Sequence, residues 1–306
     1  MQIGFIGLGN MGGHMARNLI DAGYPVVVHD VREASAAQHI ALGAGWAATP
    51  EDCAAKADVL ITMLPNPRIV EDVMLRGGAA AALPEGALWV DMSTSTPEAA
   101  RRVIDEVLEP RGLRMLDAPV SGMAKGARTG TLQIFVGGAE ADFTRALPVL
   151  EVMGDPQKIM RVGDQGSGYT VKLMINLLWF THLVASSEVL AMGVKAGVDL
   201  GVLRSALLAS PAASNFLEND ILGILESGDY DESFAMVLAC KDLGLAVDLG
   251  RDVGVSTELS ALVEQIYRRA KARYGDLSGE MIPVKLYEEL AGQDFRLPGT
   301  EPAEAS

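Results

Sequence analysis

Lys172 and Asn176 are residues whose types and spacing point to chemistry. They are four positions apart, so on a helix they share one face. Their neighbours are apolar, and burial among apolar groups lowers the pKa of a lysine. A lysine whose pKa is brought down to roughly 7–8 is suited to general acid–base catalysis near neutral pH. The plain alternative is a lysine whose stem covers apolar surface while its charge stays in water.

Residues 7–12 form a second chemical pattern, Gly-x-Gly-x-x-Gly, placed between an apolar run and a helical pattern. In such a turn Gly7 permits a sharp bend, Gly9 lets the backbone approach a pyrophosphate, and Gly12 lets helix and strand pack closely. The N-terminus of the following helix then offers N–H groups to phosphates. The predicted dinucleotide contacts in this turn are Gly7, Gly9, Asn10, Met11 and Gly12.

Asp30 ends the second apolar run and could complete the dinucleotide site. A carboxylate at this position accepts hydrogen bonds from the adenosine ribose and repels a 2′-phosphate, so it favours NAD. Arg32 lies two residues later and could bind a 2′-phosphate, which leaves NADP open. We predict NAD as the preferred cofactor.

These residues need a scaffold of strands and helices, and the first half of the chain alternates apolar runs with helical patterns. The runs are continuous rather than alternating, which is typical of a parallel sheet covered on both faces. The predicted strands are Gln2–Gly7, Pro25–Asp30, Val59–Leu64, Leu88–Met92, Arg114–Ala118 and Leu132–Val136. We expect an α/β domain with a Rossmann-type, doubly wound sheet, followed by an all-α domain.

The glycine-rich segment 163–168 marks the predicted domain boundary. Helical patterns follow it at Tyr169–Ala196, Gly201–Leu208, Phe216–Glu226, Val237–Val253, Ser256–Tyr274 and Pro283–Ala291. The prediction is a dinucleotide-binding domain over 1–163 and an all-helical domain over 164–296 for substrate binding and self-association. The composition of residues 297–306, rich in Pro, Gly, Glu and Ala, predicts a disordered tail.

Charge and cysteine usage narrow the class of protein. The formal net charge of −15 argues against nucleic acid or an anionic membrane as a partner. Cys53 and Cys240 are far apart and form neither a metal-binding spacing nor a disulfide framework, which favours a reducing compartment. The histidines have no metal-ligand spacing either, so no metal site is expected.

Two segments bear on location in the cell. Residues 1–7 carry no basic region and run straight into a strand pattern, so we expect no signal peptide and a cytoplasmic protein. The most apolar stretch, residues 171–194, contains polar groups such as Lys172, Asn176 and Glu188. Transmembrane helices rarely carry so many, so the stretch predicts a buried helix of a soluble protein rather than a membrane span.

Several sequence blocks taken together resemble the β-hydroxyacid dehydrogenases, a family that includes 3-hydroxyisobutyrate dehydrogenase and tartronate semialdehyde reductase. The resemblance covers about residues 1–295. In chain order the blocks are residues 4–12, Asp117-Ala118-Pro119-Val120-Ser121-Gly122, residues 130–138, Gly168 to Lys172 with Asn176, and Lys241-Asp242-Leu243-Gly244-Leu245-Ala246.

The resemblance implies roles for residues around the reacting groups. Lys172 would be the catalytic lysine, and Asn176 would orient both the lysine and the substrate. Ser121 and Gly122 would hold the substrate carboxylate. A serine hydroxyl and backbone N–H groups in a loop at the carboxyl edge of a sheet suit that task, although an ordinary loop is the alternative.

The resemblance also implies contacts to the nicotinamide cofactor. Leu64 and Pro65 would line the cofactor cleft, and Thr94 would lie near the nicotinamide. Phe234 and Lys241 would close over the nicotinamide from the second domain. For Lys241 the alternative is a solvated Lys-Asp pair with Asp242.

The residue after Ser121-Gly122 departs from the family pattern. The family usually has Ser-Gly-Gly, whereas this chain has Met123 at the third position. If the Met123 side chain points into the pocket, it favours an alkyl-bearing acid such as 3-hydroxyisobutyrate over glycerate. The alternative is that it fills a gap elsewhere.

The predicted function is an NAD-dependent oxidoreductase that interconverts a small 3-hydroxy carboxylate and its 3-oxo acid, with Lys172 as general acid/base. Three alternatives stay open: an imine reductase-like enzyme, an NADP-dependent semialdehyde reductase and a non-catalytic nucleotide-binding module. Imine reductases replace the catalytic lysine, so Lys172 counts against that alternative. A homodimer or homotetramer is expected.

Overall fold

The computed structural model describes residues 1–231 and 234–297, and the chain forms two compact units. The first unit is Met1–Leu173 and the second begins at Met174. The division falls inside a helix, later than the predicted boundary at residue 163. The first turn of this helix and the residue before it are hydrogen-bonded to Asp117 in the sheet of the first unit, which explains the later division. Of the predicted tail, residues 298–306 lie outside the described residues.

The first unit contains a mostly parallel sheet. Its described strands are β1 (Ile3–Ile6), β2 (Val26–His29), β3 (Gly45–Trp46), β4 (Val59–Thr62), β5 (Leu88–Asp91), β6 (Arg114–Asp117), β7 (Val120–Ser121), β8 (Leu132–Gly137) and β9 (Gly154–Gly163). The order is β3-β2-β1-β4-β5-β6-β8-β7, and β9 pairs with β8. All pairs from β3 to β6 are parallel, whereas β8 runs antiparallel to β6 and β7. The predicted Rossmann-type sheet is confirmed.

Both faces of this sheet are buried, as its continuous apolar strands predict. Side chains alternate across a strand, so Val59 and Ile61 enter one hydrophobic cluster while Leu60 enters another. Helices cover the two clusters. Burial on both faces is what requires an unbroken apolar run rather than an alternating one.

Strands β3, β7 and β9 were not predicted. β3 and β7 have two residues each, and β9 is mostly exposed or half-buried, with Pro156 and several polar residues. None of the three has an apolar run that a sequence pattern could detect.

The helices of the first unit begin where the local sequence provides a cap. Thr49, Asn66 and Thr96 each accept a hydrogen bond from the backbone N–H three residues later, and a proline follows each of them. The described helices are α1 (Gly12–Asp21), α2 (Ala37–Ala41), α3 (Pro50–Ala54), α4 (Pro67–Glu71), α5 (Ala79–Ala82), α6 (Pro97–Val103), α7 (Met123–Thr129), α8 (Glu140–Met153) and α9 (Ser167–Lys195). Helix α9 continues into the second unit.

The second unit is helical, as predicted. Its further described helices are α10 (Leu200–Leu208), α11 (Leu222–Ser227), α12 (Met236–Asp252), α13 (Glu258–Tyr274) and α14 (Pro283–Ala291). Its core is built around aromatic contacts: the ring centroids of Phe180 and Tyr267 are 4.9 Å apart, and those of Trp179 and Phe216 are 5.3 Å apart.

Helix α9 has the length and composition of a membrane-spanning helix, with a mean hydropathy of 1.4 in its most apolar window. The core helix of a soluble protein meets the same criteria, so one such helix is weak evidence of a membrane. Only 33% of that window is buried within the single chain, less than the sequence suggests. The exposed apolar residues include Met174, Leu178, Val189 and Met192.

Candidate active site

The Gly7–Gly12 turn joins β1 to α1, and two of its glycines are required by the fold. Gly7 has a φ of +100°, and a Cβ there would lie 2.3 Å from the Met63 carbonyl oxygen. A Cβ on Gly12 would lie 2.0 Å from the Gly7 carbonyl oxygen. Neither position can hold a larger residue without a change of backbone.

Gly9 is different, because the protein itself does not require a glycine there. A Cβ on Gly9 would meet no atom of residues 1–231 and 234–297 within 4 Å, and Gly9 and Asn10 are both exposed. Among the described residues, no side chain caps the N-terminus of α1. Open space beside a small residue, next to an uncapped helix N-terminus, fits the pyrophosphate of a dinucleotide. The turn therefore fits a dinucleotide at the predicted place.

Asp30 is tied to this turn by its carboxylate. Its Oδ2 accepts a hydrogen bond from the Leu8 N–H at 2.8 Å, and its Oδ1 accepts one from the Arg32 N–H at 2.9 Å. The Arg32 side chain is 74% exposed, and its Nε lies 3.9 Å from Asp30 Oδ1. Asp30 is thus held in place by the turn itself, while Arg32 remains in solvent.

The loops after β4 and β5 lie at the same edge of the sheet. Strands β2, β1, β4 and β5 are neighbours and parallel, so the residues that follow them are brought together. The Leu64 N–H donates to Ser93 Oγ at 2.9 Å, which joins the two loops. Pro65 is exposed and Thr94 is partly buried. The structure therefore brings Leu64, Pro65 and Thr94 to the edge that carries the glycine turn.

The Ser121–Met123 turn joins β7 to α7. Gly122 has a φ of +127°, and Met123 has a φ of +54°, which is a left-handed conformation that favours glycine. Met123 is half-buried and belongs to none of the hydrophobic clusters formed by the described residues. It is therefore not core filler of the first unit.

Lys172 lies on the part of α9 that belongs to the first unit. It is 8% exposed, which is unusual for a lysine. One turn earlier, a Cβ on Gly168 would lie 2.4 Å from the Phe135 carbonyl oxygen, so the helix start packs directly on β8. Lys172 follows one helical turn after this packed start.

Sequence reasoning assigned no role to two buried carboxylates, of which Asp117 appeared only as part of a quoted block. Asp91 and Asp117 are 0% exposed and pair in register at the ends of β5 and β6. Burial raises the pKa of Asp117 to about 6, although hydrogen bonds from Gly166 and Tyr169 lower it. Burial also raises the pKa of Asp91. A carboxylate at the end of an apolar strand was the one signal that could have singled them out.

The remaining predicted residues lie in the second unit. Asn176 Nδ2 donates to Asp242 Oδ2 at 2.7 Å, and Asp242 is 1% exposed. Lys241 Nζ lies 2.9 Å from Asp242 Oδ1. Phe234 packs on the core of this unit, and its carbonyl accepts the Glu280 N–H at 3.0 Å. Asp242, which sequence analysis noted only as a neighbour, therefore holds the Asn176 amide.

No group of three or more His, Cys, Asp or Glu side chains in residues 1–231 and 234–297 could hold a metal ion.

Each of the two units matches a known protein family. Residues 2–163 match the NAD-binding domain of 6-phosphogluconate dehydrogenase. Residues 166–287 match the NAD-binding domain of NADP-dependent 3-hydroxyisobutyrate dehydrogenase. Together these matches span most of the described chain.

Curated relatives resemble nearly the whole chain. 2-(Hydroxymethyl)glutarate dehydrogenase of Eubacterium barkeri is 38% identical over 293 residues, covering 95% of this chain and 96% of the relative. 3-Hydroxyisobutyrate dehydrogenase of Pseudomonas aeruginosa is 40% identical over 273 residues, covering 87% and 91%.

A solved structure agrees with both matches. The structure of Mycobacterium tuberculosis 3-hydroxyisobutyrate dehydrogenase with L-serine has a TM-score of 0.81 and 31% identity, covering 93% of this chain and 98% of that one. The chain therefore belongs to the β-hydroxyacid dehydrogenase family, and it is an NAD(P)-binding oxidoreductase.

Proposed function

We propose that the protein interconverts a small 3-hydroxy carboxylate and its 3-oxo acid, with NAD as the preferred cofactor and Lys172 as the proton-transfer residue. The observation that carries the proposal is the burial of Lys172 on a helix start packed against the same sheet that carries the Gly7–Gly12 turn. A buried amine can exchange a proton with an alcohol oxygen without competition from bulk water.

The substrate class follows from a chemical group that the hydroxy acids of the related proteins share. 3-Hydroxyisobutyrate, 2-(hydroxymethyl)glutarate and L-serine all have a hydroxymethyl group on the carbon that bears the carboxylate. The reaction would then take place at a primary alcohol, and the product would be an aldehyde. Ser121 and Gly122 would bind the carboxylate.

Each residue has one task in this proposal. The cofactor supplies the hydride acceptor when it is bound. Lys172 Nζ takes the proton of the substrate hydroxyl as the alcohol is oxidised, and it returns a proton to the aldehyde oxygen in the reverse direction. Asn176 is held by Asp242 with its amide nitrogen engaged, which leaves its carbonyl oxygen to accept a hydrogen bond.

NAD is the preferred cofactor in this proposal because Asp30 is held by two backbone N–H groups. A 2′-phosphate would meet its carboxylate. A homodimer or homotetramer and a cytoplasmic location remain predictions. The exposed apolar residues of α9 support self-association, because a second copy could cover them.

The test replaces Lys172 with alanine and measures NADH formation with 3-hydroxyisobutyrate, L- and D-serine, 3-hydroxypropionate and glycerate. We expect Lys172→Ala to lower kcat by roughly two to four orders of magnitude, the range typical of general acid–base groups. NADH affinity, measured by fluorescence, should barely change. Lys195→Ala is the matched control, since Lys195 lies on the same helix and is bonded to the Leu290 carbonyl.

Two outcomes would contradict the proposal. Lys172→Ala could keep most of the activity, in which case Lys172 is a packing residue. Alternatively, the unmodified protein could bind NADH but turn over none of the hydroxy acids, which would favour a nucleotide-binding module.

A further inference from the structure

A continuous chain of hydrogen bonds starts at the cofactor side of the first unit. The Leu64 N–H donates to Ser93 Oγ at 2.9 Å, and the Ser93 hydroxyl donates to Asp91 Oδ1 at 2.6 Å. The Tyr169 hydroxyl donates to the other oxygen, Asp91 Oδ2, at 2.6 Å. The chain therefore runs from the loop after β4 through the end of β5 to the first turn of α9.

The same helix turn is held by a second carboxylate. The Gly166 N–H donates to Asp117 Oδ1 at 2.7 Å, and the Tyr169 N–H donates to Asp117 Oδ2 at 3.0 Å. Asp91 and Asp117 are cross-strand neighbours on β5 and β6. Tyr169 thus contacts one carboxylate with its side chain and the adjacent carboxylate with its backbone.

The groups that attach α9 to the sheet are polar and buried, which is energetically less favourable than apolar packing. Asp91, Asp117 and Tyr169 are each at most 1% exposed. Burying two carboxylates side by side costs free energy that apolar packing would not, even when both are hydrogen-bonded. Burial raises the pKa of Asp91 and of Asp117, as expected for ionised groups placed in an apolar interior. The network therefore calls for a role beyond stability.

Lys172 lies three residues after Tyr169 on α9, so the two are neighbours along the helix surface. We propose that Tyr169, held by Asp91 and Asp117, is a positioning residue. It would fix the position of the Lys172 amine relative to the loop after β4, which contains Leu64. The inference rests on the proposed proton transfer by Lys172. Tyr169 touches no reacting atom in this proposal and acts only through the lysine.

The first experiment is Tyr169→Phe, which removes one hydroxyl and leaves the aromatic ring in place. We expect kcat to fall about 10- to 100-fold, the range that a displacement of about 1 Å can cause. The Kd of NADH should change less than about twofold, because the Gly7–Gly12 turn is untouched. The KM of the hydroxy acid should change little, so the loss falls on kcat.

Tyr267→Phe is the matched control. Tyr267 is also fully buried, but its hydroxyl makes no hydrogen bond to the described residues. The same chemical change there should leave kcat as in the unmodified enzyme. Thermal unfolding of both variants shows whether a loss of activity is a loss of folded protein. If Tyr169→Phe does not fold, Ser93→Ala breaks the same chain next to Leu64 and should give the same loss of kcat.

A double-mutant cycle with Lys172→Ala tests whether Tyr169 acts through the lysine. In the Lys172→Ala background, Tyr169→Phe should have no further effect on the residual rate. An equal loss in both backgrounds, or a lower melting temperature with unchanged kcat, would overturn the inference. If Lys172→Ala keeps its activity, the proposed function fails as well. If Lys172→Ala is inactive while Tyr169→Phe is as active as the control, the inference alone fails.

Discussion

The Gly7–Gly12 turn and the Ser121–Met123 turn both join a strand of the same sheet to a helix, but they differ at the left-handed backbone position. The first turn has a glycine there, Gly7, with a φ of +100°. The second has Gly122 at +127° and then Met123 at +54°. A left-handed conformation costs a residue with a side chain roughly 1–2 kcal/mol.

Asp231 is the other non-glycine residue with positive φ among the described residues. An aspartate side chain can hydrogen-bond locally and tolerate that conformation, whereas a methionine cannot. Strained residues persist mainly where they serve function. At its left-handed position the first turn has the residue that backbone geometry favours, whereas the second turn keeps a side chain that the same geometry disfavours.

The largest effect is expected for Gly12→Ala. The added Cβ would lie 2.0 Å from a backbone oxygen that cannot move without opening the turn. We expect a loss of about 3 kcal/mol or more of unfolding free energy, measured by denaturant titration. Gly9→Ala is the matched variant, since its Cβ would meet no atom within 4 Å in the described part of the chain. It should keep its stability and lose about tenfold or more in NADH affinity.

If Gly9→Ala bound NADH as tightly as the unmodified protein, the open space beside Gly9 would not be the pyrophosphate site. If Gly12→Ala were fully stable, the first turn would not be set by backbone geometry.

The next effect concerns Asp30, whose carboxylate accepts a hydrogen bond from the Leu8 N–H of the first turn. Asp30→Asn should reduce the preference for NAD over NADP by about tenfold, because it removes a charge and one acceptor for a backbone N–H. The measurement is kcat/KM with each cofactor. Asp21→Asn is the control, because Asp21 is an exposed aspartate at the end of α1. Equal or better kcat/KM with NADP in the unmodified enzyme would contradict the role of Asp30.

The smallest effect is expected at Met123. Two variants separate the effect of its backbone conformation from the effect of its side chain. Met123→Ala keeps the strained conformation and shortens the side chain, whereas Met123→Gly removes both. The glycine variant should be about 1 kcal/mol more stable than the alanine variant. Both should raise kcat/KM for glycerate relative to 3-hydroxyisobutyrate, by an amount equivalent to about 1–3 kcal/mol at most.

An unchanged substrate ratio in both variants would place the Met123 side chain outside the pocket. A change in the glycine variant alone would assign the effect to backbone freedom. Either result would show that the Met123 side chain does not select the substrate.

The glycine turn, Asp30 and the helix carrying Lys172 could be predicted because each depends on neighbours in sequence. A strand, a turn and a helix N-terminus lie within the first 21 residues, and their pattern repeats in many dinucleotide-binding proteins. Local caps such as Thr49 followed by Pro50 likewise mark helix starts. Strand β9 could not be predicted, because an exposed edge strand has no apolar periodicity.

The sequence by itself therefore determined the order of most strands and helices, the Gly7–Gly12 turn and the candidate proton-transfer lysine, since these are local patterns. Only the tertiary structure decided which buried groups meet. The Tyr169 hydroxyl and Asp91 are 78 residues apart in the chain, and Asp117 meets the Tyr169 N–H across 52 residues. Likewise, the left-handed conformation of Met123 depends on the path between β7 and α7. Contacts of this kind arise when parallel strands bring their ends to one edge of the sheet. They depend on how the strands pack, which the spacing of residues along the chain does not reveal.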